Sequence, residues 1–173
     1  MTNLILGVGV FFMLSEFAQA QTATELLAQA EKLAEQGDRY RAGPLFAKAE
    51  AAFHAAGNTS QEFYAKFGRL HAESDHGNYK SVQAQIEQAL TNPVVQNDPQ
   101  LKIRALSVLG TVDLNLDTAS AGSDWKQLLD TATAVGDVKW VSRFSDCGTG
   151  TSQLRRNQPS SISTPPFSFP RAG

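Results

Sequence analysis

The sequence predicts an all-α fold, and three observations predict it. From Gln21 to about Arg143 the chain is rich in Ala, Leu, Gln and Glu, all good helix formers, with only Pro44, Pro93 and Pro99 interrupting. Apolar residues recur at helical spacing: Leu26, Ala30 and Leu33, then Phe63, Phe67 and Leu70, then Val82, Ile86 and Ala89. No stretch sustains the alternation of β-branched residues that a strand requires. Third, Gly37, Gly57 and Gly77 fall twenty residues apart, each followed by Asp38, Asn58 or Asn78. Glycine supplies the left-handed backbone that ends a helix, and the Asp or Asn caps the next one. Helices of similar length therefore fold back on one another as hairpins of about forty residues.

The elements follow in order. Residues 1–20, MTNLILGVGVFFMLSEFAQA, read as a cleavable export leader. The apolar run Leu4–Leu14 is too short for the ~20 residues of a membrane-spanning helix, and Ala18-Gln19-Ala20 is the small-x-small pattern of a cleavage site before Gln21. No Lys or Arg precedes Lys32, which is unusual for a leader, and the alternative is an apolar helix docked on the domain. No cysteine stands directly after the run, so a lipid anchor there is not expected. The expected compartment is periplasmic or extracellular.

The first hairpin pairs Gln21–Gly37 with Asp38–Gly57, and the second pairs Asn58–Gly77 with Asn78–Pro93. A third contains Leu106, Leu109 and Gly110, followed by Ala121 and Trp125 after a longer connection around Asp117–Ser123. Gly136-Asp137 closes it, and Asp137-Val138-Lys139-Trp140 opens a fourth unit. Ala42, Phe46 and Ala49 resemble the second helix of a tetratricopeptide repeat, in which small residues admit a neighbouring helix and an aromatic fills the gap. Tyr64, Phe67 and Gly68 resemble the first helix of the next repeat, and Asn78-Tyr79 through Val82, Ile86, Ala89, Leu90 and Pro93 its second. The units run near forty residues against 34 in that family, and Val82 stands where a small alanine is usual.

The resemblance implies a right-handed solenoid of about three tetratricopeptide-like hairpins over residues 21–143, the minimum for a stable stack. It also implies a concave face built from first helices: Glu62, Ala65, Arg69, Ala72 and Glu73, then Arg104, Ser107 and Thr111. Some relatives clamp a peptide carboxylate there. Leu27 and Glu31 occupy the corresponding places in the first unit, so that clamp is not expected.

Composition changes at about Phe144. Residues 144–173 contain no Glu or Lys and hold four of the seven prolines, so a disordered Ser/Pro-rich tail is expected. Either the chain is the N-terminal fragment of a longer repeat protein, shifted in frame or truncated near Phe144, or the tail is genuine. In both cases Val138, Trp140 and Val141 lack a following helix, which predicts self-association or marginal stability.

Chemistry-bearing motifs are few. Fifteen basic and seventeen acidic side chains give a charge of −2, with no electrostatic footprint for nucleic acid or an anionic membrane. A single cysteine, Cys147, excludes an intrachain disulfide and a cysteine-built zinc site, and it lies in the tail with nothing to hold a base beside it. His71 and His76 are not spaced to share a helix face as metal ligands, and His54 stands apart. Gly148-Thr149-Gly150-Thr151-Ser152 lacks the ending of a phosphate loop, and Leu154-Arg155-Arg156 is too short for a nucleic-acid patch. Glu31, Glu35, Glu50, Glu62, Glu73 and Glu87 suit a solvated helix face. Asn58-Thr59-Ser60 matches a glycosylation sequon and serves equally as a helix cap. No cofactor, metal or catalytic residue is expected. The function expected is a non-catalytic scaffold binding a partner segment along the concave face. The alternative is a repeat module of a larger exported protein whose enzymatic or sensory part lies elsewhere.

Overall fold

A computed structural model describes residues 22–142. The expected leader, the Ser/Pro-rich tail and Cys147 lie outside them. Among the described residues there is no strand. The helices are α1 (22–35), α2 (Arg39–Ala55), α3 (Thr59–Ser74), α4 (Tyr79–Leu90), α5 (Pro93–Asn97), α6 (Pro99–Asn115), α7 (Ala121–Ala134) and α8 (138–142). The chain divides at Asn78 into two compact units.

In the first unit, α1, α2 and α3 share one core. Ala23, Leu27, Ala30 and Ala34 of α1 meet Ala42, Phe46, Ala49 and Phe53 of α2 and Ala65 of α3. The turn between α1 and α2 shows why the helices reverse so sharply. Gly37 takes φ +81°, a conformation costing other residues ~1–2 kcal/mol. Its N–H donates to Ala34 O at 3.0 Å, and Asp38 N–H donates back to Leu33 O at 2.9 Å. These are the two bonds of a Schellman motif, and they satisfy carbonyls that the end of α1 would leave open. Asp38 then begins α2, its carboxylate accepting from Arg41 N–H. One residue thus closes one helix and caps the next. The turn at Gly57-Asn58 repeats this, with Asn58 N–H on Phe53 O and Asn58 Oδ1 accepting from Gln61 N–H.

The second unit is built around α6. Eleven of its residues are buried, on every side of the helix: Leu101, Ile103, Arg104, Ala105, Leu106, Ser107, Val108, Leu109, Gly110, Val112 and Asp113. A helix covered all round is the centre of its unit. It packs with α4, α5 and α7, which contribute Val82, Ile86 and Ala89, then Val95, then Ala121, Leu128 and Ala132. Its start is fixed by Pro99 and by Asp98, whose carboxylate accepts from Gln100 and Leu101 N–H.

Three features depart from the sequence reading. A short α5 fills the segment after Pro93, capped by Asn92. The long connection expected around Asp117–Ser123 is instead another Schellman turn, with Asp117 at φ 54° where the other turns place glycine. Thr118 N–H donates to Asp113 O at 3.0 Å and Asp117 N–H to Leu114 O at 3.3 Å. Asp tolerates this backbone better than most residues, so the turn lacked the glycine that marked its siblings. Trp140 is also not left uncovered: it is 3% exposed, while Val138 beside it is 74% exposed.

Candidate functional site

The first-unit residues expected on a concave face belong to α3, and their surroundings are set by how closely α3 approaches α2. Small residues line the seam. A Cβ on Gly43 would sit 3.2 Å from Ala72 Cβ, and a Cβ on Gly68 would sit 2.5 Å from the Phe46 ring. Backbones that close leave no outward surface on the residues between them. Ala65 and Ala72 are buried, at 0% and 3% exposure, and they serve the seam instead of an open groove.

Polar side chains border that seam. Arg69 of α3 donates through Nε to Glu50 Oε2 of α2 at 2.6 Å and through a terminal nitrogen to Glu73 Oε1 at 2.5 Å. Burial opposes the charge on Arg69, but the hydrogen bonds and negative charges of Glu50 and Glu73 outweigh it and raise its pKa. Farther along, His54 Nδ1 lies 3.1 Å from Glu62 Oε1. At the other end Arg39 of α2 meets Asp75 at 3.1 Å, and the Tyr40 and His76 rings meet edge to face. Glu62, Arg69 and Glu73 are therefore half-buried members of a polar strip that ties α2 to α3. Leu27 is buried in the core and offers nothing to a ligand.

The second-unit candidates are placed differently. Arg104 and Ser107 are buried at 3% and 5% exposure. Ser107 Oγ donates to Arg104 O and Thr111 Oγ1 to Ser107 O, so both hydroxyls are satisfied by their own helix. Only Thr111 retains partial exposure. The tetratricopeptide resemblance places Arg104, Ser107 and Thr111 on a concave face, whereas neighbours on all sides of α6 leave little of it to face outward.

A second polar cluster was not expected. Asp113, in the last turn of α6, is 1% exposed. It accepts from Gln83 Nε2 of α4 at 2.7 Å and from Ser120 Oγ before α7. Ser120 Oγ also lies 3.0 Å from Thr118 Oγ1, and it makes no capping bond to the backbone of α7. Asp124 of α7 completes the cluster, its carboxyl beside that of Asp113 and its Oδ2 buried without a hydrogen-bond partner. The sequence did carry a signal: Asp113 lies four residues after Leu109 and seven after Leu106, on a face otherwise apolar.

Among the described residues, no group of three or more His, Cys, Asp or Glu is placed to hold a metal ion, and no helix is long and apolar enough to cross a membrane. The chain was compared with protein families, curated proteins and solved structures. None of them matches.

Proposed function

We propose that this chain is a non-catalytic interaction scaffold of tetratricopeptide-like build that binds a peptide segment of a protein partner. The observation that carries the reading is a recurring element: a helix, a Schellman turn, an Asp or Asn that caps the following helix, and that helix. Aromatic-on-glycine packing accompanies it in each unit, Phe46 against Gly68 and Trp125 against Gly110. Hairpins of this kind stack into a right-handed solenoid, whose faces are long, shallow and suited to extended peptides. Export through the leader at residues 1–20, to the periplasm or the exterior, belongs to the same proposal.

In the first unit the partner-facing groups are Glu62, Arg69 and Glu73. Their strip is mixed in charge, so specificity rests on shape and a few polar contacts instead of net attraction. Photo-crosslinking residues placed at 62 and 73, with one at the exposed Lys126 of α7 as control, test this in an envelope extract of the host. A discrete adduct from 62 and 73, competed by unlabelled chain and not formed from 126, is the expected result. Adducts formed equally from all three positions, or from none, would refute it.

A further inference from the structure

The cluster around Asp113 poses an electrostatic problem. Asp113 already accepts hydrogen bonds from Gln83 and Ser120, and a second carboxyl group, that of Asp124, stands beside it. Asp124 Oδ2 is sealed from solvent and meets no donor. A carboxylate oxygen buried in this way is unstable, and two carboxylates in contact repel one another. One proton on Asp124 removes both difficulties, because its carboxylic acid then donates to Asp113.

The charged groups acting on Asp124 are Asp113 of α6 and Glu87 of α4, both negative. The α6–α7 connection contributes the neutral hydroxyls of Thr118 and Ser120, and its only charged residue, Asp117, is exposed. Burial first, then the bond to Asp113 and the charges of Asp113 and Glu87, push Asp124 up from 3.8 to about 6.

We propose that Asp113 and Asp124 form a proton-operated clasp on the α6–α7 hairpin, closed while Asp124 carries a proton that it donates to Asp113 and loosened when that proton leaves. The device joins three elements, since Asp113 also holds α4 through Gln83. The folded state keeps the proton more tightly than the unfolded chain does. The clasp therefore contributes fully below the ordinary 3.8 and is lost as pH rises through about 6.

Asp124→Asn isolates the effect, because its amide donates to Asp113 at every pH. Melting temperatures of the full chain and of this variant are measured from pH 5 to 7.5, with hydrogen exchange of the α7 amides corrected for intrinsic rates. The wild type should lose roughly 4 °C or more relative to the variant across that range. Its α7 protection should fall while that of the variant holds. Glu87→Gln, which removes an exposed like charge, should move the wild-type inflection to lower pH. Parallel profiles for wild type and Asp124→Asn would overturn the clasp. Should that variant fail to fold, carboxyl ¹³C titration of the wild type decides: an aspartate inflecting near 6 supports the clasp, and aspartates all titrating near 4 or below overturn it.

Discussion

Replacing Gly68 with alanine puts the seam between α2 and α3 to a quantitative test. Gly68 lies inside α3, where alanine normally stabilises a helix by about 1 kcal/mol over glycine. Here the new methyl would sit 2.5, 2.7 and 2.7 Å from three carbons of the Phe46 ring, closer than real Cβ contacts allow. Phe46 is 1% exposed and cannot swing clear, so the helices must part or the ring must leave its rotamer. Such overpacking costs about 1–3 kcal/mol. Gly68→Ala should thus lose up to about 2 kcal/mol net, as much as a roughly thirty-fold fall in the folded ratio of the first unit. Urea unfolding followed by far-ultraviolet circular dichroism reads this as a lower midpoint at unchanged slope. Both tryptophans, Trp125 and Trp140, belong to the second unit, so their fluorescence provides an internal reference. In a Phe46→Leu background the same change should become stabilising, because the ring it strikes is gone. A Gly68→Ala protein more stable than wild type by about 1 kcal/mol would refute the close approach.

Other changes probe the remaining joints. Gly110→Ala would place a methyl 2.7 Å from the Trp125 ring, and it should destabilise the second unit and shift the tryptophan emission maximum. Asp117→Gly should raise stability by about 0.5–1 kcal/mol in denaturant titration, because glycine takes φ 54° without strain. Asp38→Ala should cost about 1 kcal/mol through loss of the α2 cap, and Asp38→Asn should restore most of it, the amide oxygen still reaching Arg41 N–H.

Helix ends were the most legible part of this fold. They are written in two adjacent residues, Gly37-Asp38, Gly57-Asn58 and Gly136-Asp137, whose backbone preference is local and needs no tertiary context. The turn at Asp117 escaped the same reading because only its conformation, not its residue type, belongs to the set. Burial around α6 was less legible. Apolar residues at 101, 103, 105, 106, 108, 109 and 112 occupy all sides of the helix, but which side a neighbour covers depends on α4, α5 and α7 packing together. Arg104 and Ser107 were therefore assigned outward and lie inward. Ala65 and Ala72 went the same way, since a small residue suits a helix seam as well as a shallow groove. The carboxyl pair was missed because its members, eleven residues apart, meet only when α7 folds back on α6.

The shortness of the turns has a consequence for how the chain meets proteases. A protease needs a run of extended backbone in its cleft, and it finds such runs at loop tips. Between residues 22 and 142 no connection exceeds five residues, and their backbone groups are largely engaged by the helices they join. Cleavage inside this region must therefore wait for a helix to open, so its rate follows the equilibrium between closed and opened forms. Limited digestion thereby becomes a readout of helix stability, one hairpin at a time.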